Sequence, residues 1–229
     1  MLEDLKRKVL DANRALEKKG LVRTLGGNVS EIDRETGLIV IKPSGVPFDE
    51  LTVKDMMVVD LMGNVVDGVL HPSVDTPTHI ELYRAFDEIG GIAHTYSTFA
   101  TAYSQAGKDI PFLGSAHAEH FYGDIPCSRP LSLDEVEGEY ETNVAYAIID
   151  CIEGLNPMEV PAVLVKSLGL YTFGNDAQQT VVTAERVEEL AKIAFVTEML
   201  SPDVDRAEDF LLEKHFFRKR NRGAFYGKK

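Results

Sequence analysis

Hydrophobic residues recur along the chain at spacings that alternate between those of helices and those of strands. Near the start, apolar side chains fall three or four residues apart and predict an amphipathic helix, which Gly20 ends just after its last turn. Those side chains are Leu2, Leu5, Val9, Ala12 and Leu16. Residues 97–106 and 176–200 predict two more helices. A fourth helix should begin at Thr76, because the side chain of Asp75 can supply a capping oxygen and Pro77 lies in the first turn.

Short apolar runs bounded by turn residues lie between these helices. Leu38–Ile41, residues 92–94 and Ala162–Val165 are typical of buried strands, and residues 57–61 and 65–66 predict a hairpin around Gly63-Asn64. Strands and helices alternate without an internal repeat or a linker. The pattern therefore predicts a layered α/β domain, although periodicity alone does not give the strand order.

Length and charge restrict the class of protein. A chain of 229 residues favours one domain over residues 1–229, and a net charge of −13 argues against a general nucleic-acid binder. No apolar run approaches the roughly 20 residues that cross a bilayer. Cys127 and Cys151 cannot form a disulfide framework and fit a reducing compartment. We expect a cytoplasmic protein with a small-molecule ligand and no membrane or nucleic-acid partner.

One basic segment interrupts the acidic composition. Residues 214–229 contain seven lysines and arginines. The segment is typical of a solvated helix end and tail. An anionic small-molecule site and a subunit contact stay open as alternatives.

Several motifs occur in a fixed order along the chain. They read Gly-Asn-Val-Ser at 27–30, Lys-Pro-Ser-Gly-Val at 42–46, Pro-Ser-Val-Asp-Thr-Pro-Thr-His at 72–79 and Ile-Ala-His-Thr-Tyr-Ser at 92–97. His-Ala-Glu at 117–119, Phe-Tyr-Gly at 121–123, Ile-Pro-Cys at 125–127 and the tail at 214–227 follow. Together they resemble the L-ribulose-5-phosphate 4-epimerases of the class II aldolase family, over essentially the whole chain.

The resemblance implies a three-layer class II aldolase-like fold, with a central, mostly antiparallel sheet flanked by helices. It also implies a homotetramer with active sites between neighbouring subunits. In that family a zinc-type ion held by three histidines stabilises the enolate formed when a carbon–carbon bond of the pentulose phosphate breaks. The fragment then re-adds on its other face, which epimerises the sugar. A Lewis acid stabilises such a carbon leaving group without a proton transfer.

The metal positions of the family are substituted in this chain. By resemblance His94 is the first ligand, but Tyr96 and Leu168 occupy the second and third ligand positions. Because catalytic zinc normally has three protein ligands, we expect no metal cofactor and lost or severely reduced native activity. His117 and His120, three residues apart, are an alternative source of ligands, although separate surface or network roles are favoured.

The resemblance also assigns the other site residues. The catalytic candidates are Asp75, Tyr96, Glu119 and Tyr226, of which Tyr226 would reach a neighbouring subunit's site. Glu119 stands where the family usually has a shorter aspartate. The substrate phosphate would bind to Asn28, Lys42, Ser44, Gly45 and Ser73. Ammonium, hydroxyl and backbone N–H groups suit such an anion.

Further departures from the family gather near the expected ligand site. Gly26 replaces a tryptophan of the family, Val74 a serine and Leu170 a proline. Phe112 and Ala116 stand where the family typically has smaller or more polar residues. These changes predict a roomier and more apolar cavity.

Three hypotheses for the function follow from the sequence. The chain is an impaired epimerase or aldolase, or it has a repurposed or engineered metal-free pocket in which His94, Tyr96 or Glu119 moves a proton. The third hypothesis is a non-catalytic protein that binds a sugar phosphate.

Overall fold

The structure is a computed structural model that describes residues 2–23 and 26–220. The helices are α1 (Glu3–Lys18), α2 (Thr76–Ala85), α3 (Thr98–Ala106), α4 (Ser115–Ala118), α5 (Leu133–Glu137), α6 (Tyr140–Cys151), α7 (Ala177–Leu200) and α8 (Asp209–Arg220). The strands are β1 (Asn28–Asp33), β2 (Leu38–Ile41), β3 (Met57–Asp60), β4 (Val65–Asp67), β5 (Gly91–Thr95), β6 (Ala162–Val165) and β7 (Gly169–Gly174). No helix in these ranges is long and apolar enough to cross a membrane.

The strands form one sheet in the order β4-β3-β2-β1-β5-β7-β6, and neighbouring strands are antiparallel throughout. The predicted fold, an antiparallel sheet flanked by helices, is therefore confirmed. Apolar side chains alternate between the two faces of the sheet, as the period of two in a strand requires. Helices α1, α3 and α7 cover one face, and α2 and α6 pack on the other.

The local predictions for the helices hold, with one correction at the start of α2. Gly20 follows α1 with a φ of 71°, and Asp176 Oδ1 accepts from the backbone N–H of Gln179 at 2.7 Å to cap α7. Asp75 precedes α2 without capping it, because its carboxylate contacts two other side chains instead. A side chain that hydrogen-bonds to other side chains cannot also accept from the backbone N–H groups at the start of its helix.

The hydrophobic pattern did not predict strands β1 and β7, nor helices α4, α5, α6 and α8. Strand β1 contains Asn28, strand β7 contains Tyr171, and α8 contains the basic side chains Lys219 and Arg220. Asn28 and Tyr171 both lie next to His94 in the sheet. The two strands therefore matter for the site described next.

Candidate functional site

The candidate site is built on three neighbouring strands whose register places three polar side chains in a row. Asn28 of β1 pairs directly with His94 of β5, and His94 pairs with Tyr171 of β7. Directly paired residues project from the same face of a sheet, so all three side chains point toward the α2 and α6 layer. The imidazole of His94 stacks on the ring of Tyr171, with centroids 4.3 Å apart and an angle of 8°.

The carboxylate of Asp75 joins this row from the start of α2. His94 Nδ1 lies 2.8 Å from Asp75 Oδ2, and Asn28 Nδ2 donates to the same oxygen at 2.5 Å. Asn28 Nδ2 also lies 3.1 Å from Ser73 Oγ. Asp75, Asn28, Ser73 and His94, all predicted site residues, are thus one hydrogen-bonded cluster.

Asp75 is ionised in this cluster. Burial disfavours the charge of its carboxylate, but the charge interaction and hydrogen bond with His94, with smaller contributions from His79 and Asn28, outweigh burial and lower the pKa of Asp75 to about 2. In the neutral tautomer whose Nδ1 donates to this carboxylate, Nε2 of His94 is the acceptor nitrogen. Nε2 is buried and has no hydrogen-bond partner among the described residues.

Tyr96 lies against His94 and not in an opened cavity. Its ring centroid is 4.6 Å from that of His94, and a Cβ atom added at Gly26 would lie 3.2 Å from Tyr96 Cε2. The space expected from the loss of a large side chain at position 26 is therefore occupied by Tyr96. Across the site, a Cβ atom at Gly169 would lie 3.3 Å from His94 Nε2, so the backbone of β7 closes that side.

These residues do not fit a zinc-type ion. Of the three positions matched to ligands, His94 alone presents an imidazole, while Leu168 has no donor atom and packs with the apolar cluster beneath α2 and α6. Burial raises the pKa of Tyr96 to about 12, which further disfavours a phenolate ligand. Within residues 2–23 and 26–220, no group of three His, Cys, Asp or Glu side chains is arranged to hold a metal.

The alternative histidines take separate partners. His117 Nε2 donates to the carbonyl oxygen of Gly123 at 2.7 Å, while His120 lies 3.3 Å from Lys219 Nζ. His71 is exposed in the loop before Pro72. None of these three histidines contributes to a shared donor set with His94 in the part of the chain that the structure describes.

The predicted phosphate-binding residues lie on two loops that hydrogen-bond to each other. The backbone N–H of Ser44 donates to the carbonyl oxygen of His71 at 2.9 Å, and the N–H of Ser73 donates to that of Lys42 at 3.0 Å. Gly45 has a φ of 72°, a value that favours glycine and lets the first loop turn beside the second. The structure brings Lys42, Ser44, Gly45 and Ser73 to one place beside Asn28.

Lys42 is the unusual member of this group. It is only 2% exposed, and its ammonium donates to the carbonyl oxygen of Pro43 at 3.1 Å and lies 4.9 Å from the centroid of the Phe48 ring. It forms no ion pair with any carboxylate that the structure describes. Burial lowers the pKa of this ammonium group. A buried cation without a counter-ion is costly, and an anionic ligand would offset that cost.

Glu119 is in a different cluster of the same subunit. It follows α4 and lies 3.6 Å from Arg218 Nη2 and 3.5 Å from Lys219 Nζ, both in α8. The polar contacts described for its side chain are thus with α8 and not with His94. Tyr226, the other predicted acid/base, lies outside the described residues.

Three further substitutions also lie away from His94. Phe112 is fully buried against Ala118 and Leu212 of α8, and Ala116 faces α7 beside Leu190 and Ala194. Val74 is 64% exposed and does not line a cavity wall. Within this subunit, the apolar substitutions therefore do not enlarge one shared pocket around His94, contrary to the prediction.

Sequence reasoning gave no role to four buried residues behind the site, Ser30, His79, Tyr83 and Tyr171. Ser30 Oγ lies 2.7 Å from His79 Nδ1 and 2.8 Å from the hydroxyl oxygen of Tyr83. Burial lowers the pKa of His79 to about 4, so this imidazole is neutral near pH 7. Tyr171, between His79 and His94, could have been found only from the register of β5 and β7.

Comparisons with known proteins agree with this architecture. Residues 7–195 match the family described as Class II Aldolase and Adducin N-terminal domain. A solved L-fuculose 1-phosphate aldolase is 26% identical over 95% of this chain and 96% of its own, with a TM-score of 0.80. An L-fuculose 1-phosphate aldolase from Glaciozyma antarctica is 19% identical, covering 94% of this chain and 81% of that one, with a TM-score of 0.77. The L-fuculose-1-phosphate aldolase from Thermus thermophilus is 22% identical over 89% and 98%, with a TM-score of 0.66.

Proposed function

The chain belongs to the class II aldolase and adducin N-terminal domain family, and we propose that it binds a small phosphorylated sugar without a resident metal ion. The single observation that carries the proposal is the buried ammonium of Lys42. This cation donates to the carbonyl oxygen of Pro43, lies over the Phe48 ring and has no counter-ion among the described residues. A phosphate dianion supplies the missing charge and acceptor oxygens.

A phosphorylated ketose is the proposed ligand. The motifs of the chain resemble those of L-ribulose-5-phosphate 4-epimerases, while the similar solved structures are named L-fuculose 1-phosphate aldolases. The two sugar phosphates share a phosphate, a carbonyl group and adjacent hydroxyls. Asp75 with His94 would face the sugar. The phosphate would be held by Asn28, Lys42, Ser44, Gly45 and Ser73.

We propose that metal-dependent carbon–carbon cleavage is lost or severely reduced. Breaking the bond next to a ketose carbonyl leaves negative charge that a Lewis acid must stabilise. Leu168 offers no donor, and a neutral Tyr96 is a poor one, so His94 lacks the two further ligands. The chain therefore keeps the five residues proposed to bind the phosphate, which we call the cradle: Asn28, Lys42, Ser44, Gly45 and Ser73. It lacks the metal ion that would stabilise the charge formed when the carbon–carbon bond breaks.

Binding and turnover can be measured separately. Metal-free protein, prepared with a chelator, is titrated calorimetrically with L-ribulose 5-phosphate and with L-fuculose 1-phosphate. At least one should bind to wild type and to a Lys54→Met control, which alters an exposed lysine. Lys42→Met should weaken binding by roughly tenfold or more, the equivalent of a lost charge-assisted hydrogen bond. If Lys42→Met and Lys54→Met bind the sugar phosphate with equal affinity, Lys42 does not bind the phosphate and the proposal is wrong.

A second candidate function is proton transfer without a metal. The observation in its favour is the pairing of His94 Nδ1 with Asp75 at 2.8 Å, which leaves Nε2 as a base. Because Nε2 is buried, a substrate would reach it only after the residues around it move. Turnover of an activated C–H substrate or an ester should fall to background in His94→Ala, and an unchanged rate would exclude this candidate. The turnover rate of Glu119→Ala, compared with that of His94→Ala, shows how much of the proton transfer depends on Glu119.

We further propose a homotetramer in which Glu119 and Tyr226 of one subunit approach the ligand site of a neighbour. The resemblance to the epimerases supports this assembly. It also gives a role to Glu119, which has no polar contact with the His94 cluster within its own chain in the described residues. Light scattering of purified protein should give four times the chain mass of 25.4 kDa, and a monomeric mass would contradict the assembly.

A further inference from the structure

A second cleft, outside the loops around Lys42, concentrates positive charge in this acidic protein. The cleft has a volume of about 250 Å³ and lies between α7, α8 and the segment that follows α4. Its charged lining consists of Arg186, Lys219 and Arg220 against the single carboxylate of Glu119. In a chain of net charge −13, a local excess of positive charge is unusual and focuses a field that attracts anions.

Arg186 is the central observation. Its side chain, on the outward side of α7, is partly buried in the cleft wall. It forms no hydrogen bond or ion pair with any residue that the structure describes. A guanidinium carries five N–H donors in a planar fork that matches the oxygens of a phosphate. A partly buried arginine with none of these donors used by the described residues is therefore available to a ligand.

The two cations of α8 face the same cleft. Lys219 Nζ lies 3.5 Å from Glu119 and 3.3 Å from His120 Nδ1. The guanidinium carbon of Arg220 lies 3.4 Å from the centroid of the Phe216 ring, which holds it in place without neutralising its charge. Glu119 already has a second cation, Arg218, at 3.6 Å, and Glu159 attracts Arg220, so neither carboxylate balances Arg186.

The rest of the lining limits the size and chemistry of the ligand. Phe121, Met158 and Pro161 provide an apolar wall, and the two polar side chains of α7 are engaged locally. Thr183 Oγ1 donates to the carbonyl oxygen of Gln179, and the side-chain oxygen of Gln179 accepts from the N–H of Asn175. Recognition would therefore come from the cations, with room for a short organic group beside the apolar wall.

We propose that this cleft binds a small phosphate-bearing anion, with Arg186 as its principal ligand and Lys219 and Arg220 as flanking cations. The site shares no residue with the cradle around Lys42. Its lining residue Glu119 is also proposed to approach the ligand of a neighbouring subunit, so the inference rests in part on the proposed function, and the Lys42→Met background separates the two. Inorganic phosphate and a short phosphate monoester share the chemistry that the three cations recognise.

The test uses the full chain carrying Lys42→Met, which removes the first anion site from the measurement. Inorganic phosphate is titrated calorimetrically into this protein, into the same protein with Arg186→Gln, and into a charge-matched control with Lys192→Gln. Lys192 is an exposed cation of the same helix whose ammonium lies near Phe99, outside the cleft. Thermal unfolding midpoints verify that each variant is folded.

We expect saturable binding of one phosphate in the Lys42→Met background. Arg186→Gln should weaken it by roughly tenfold, the loss of one charge-assisted hydrogen bond, and Lys192→Gln by less than about twofold. Lys219→Gln should give an intermediate loss. The proposal is overturned if no saturable binding occurs in the Lys42→Met background, or if Arg186→Gln and Lys192→Gln bind phosphate equally well.

Discussion

His94 Nδ1 lies 2.8 Å from Asp75 Oδ2, and this contact fixes which nitrogen of the imidazole is available for chemistry. In metal sites, a ligating histidine commonly donates its other N–H to a carboxylate, which sets the tautomer and the orientation of the ring. The chain retains this supporting contact and directs Nε2 away from Asp75. Under the proposed function, Tyr96 and Leu168 stand where two further ligands would be needed, and neither supplies an imidazole.

The first prediction concerns those two positions. The double substitution Tyr96→His and Leu168→His supplies the missing imidazoles and should bind about one zinc ion per chain, as a site with three protein ligands does. Elemental analysis after dialysis measures the stoichiometry, and turnover of L-ribulose 5-phosphate or L-fuculose 1-phosphate reports any recovered activity. The wild-type chain and each single variant should bind zinc only substoichiometrically.

The single variants are the controls for this experiment. One added histidine gives two imidazoles and should hold zinc much less tightly than three. Near-stoichiometric zinc in the wild-type protein, purified without added metal, would show that other residues complete the site and that the interpretation of Tyr96 and Leu168 is wrong.

The second prediction concerns the stability contributed by Asp75. Asp75→Ala removes the acceptor of His94 Nδ1 and one of the two acceptors of Asn28 Nδ2, which keeps Ser73 Oγ at 3.1 Å. Loss of a buried hydrogen-bond partner costs about 1–3 kcal/mol per group left unpaired, so the free energy of unfolding should fall by roughly 2–4 kcal/mol. Urea unfolding at pH 7 measures the change.

Asp87→Ala is the matched control for this loss of a carboxylate. Asp87 has a side chain that is 98% exposed, and it lies 3.8 Å from Arg34. Exposed ion pairs contribute little, so the control should change the free energy of unfolding by less than about 1 kcal/mol. Equal losses in the two variants would mean that the Asp75 cluster is not a stabilising network.

The third prediction concerns Lys42 in the absence of a ligand. Lys42→Met removes a buried charge that has no counter-ion in the described residues and keeps an unbranched side chain of similar length. The free protein should be as stable as wild type or more stable by about 1 kcal/mol, because no buried ion pair is broken. The sugar phosphate should then raise the melting temperature of wild type but not of the variant.

An unstable free Lys42→Met protein would contradict this interpretation. It would show that the ammonium contributes to the fold through Pro43 and Phe48, and that ligand binding is not needed to explain its burial. Lys54→Met again serves as the exposed control and should retain the full ligand-induced shift in melting temperature.

The fourth prediction concerns pH. Burial lowers the pKa of His79 from an ordinary value of 6.5 to about 4, so the unfolded chain binds a proton here before the folded chain does. His79 therefore contributes stability that is present above pH 6.5 and is lost as the pH falls toward 4. Between pH 7 and pH 5 its contribution should decrease by about 2 kcal/mol.

Urea unfolding of His79→Gln at the two pH values isolates this contribution, since the variant lacks the titrating group. The stability of the variant should decrease less between pH 7 and pH 5 than that of wild type. His71→Gln, in an exposed loop, should behave like wild type. An identical pH dependence of wild type and His79→Gln would show that His79 is not held neutral by the fold.

The periodicity of the sequence predicts part of the fold because four of the eight α-helices, α1, α2, α3 and α7, carry local signals. Leu16 and Gly20 mark the end of α1, and Asp75 and Pro77 mark the start of α2. The hydrophobic pattern does not predict strand β7, because Gly169–Gly174 is buried along its whole length and shows no alternation of polar and apolar residues. The antiparallel sheet came from the family resemblance and not from periodicity.

The candidate site was predictable in its membership but not in its contacts. Motif resemblance identified Asn28, Asp75 and His94, yet the local rule for helix starts assigned the Asp75 carboxylate to capping. The actual partners are separated from Asp75 by 19 and 47 residues and meet it only through the sheet. Likewise, the space at Gly26 was expected to be open, because no sequence pattern shows that the Tyr96 ring occupies it.

The central claim is that the chain binds a phosphorylated sugar without a metal ion. Calorimetric titration of chelator-treated wild-type protein with L-ribulose 5-phosphate or L-fuculose 1-phosphate, repeated after addition of zinc, tests it most directly. We expect saturable binding with the same Kd in both titrations, and binding weaker by roughly tenfold or more in Lys42→Met. Binding that occurs only after the protein takes up one zinc ion per chain would contradict the claim.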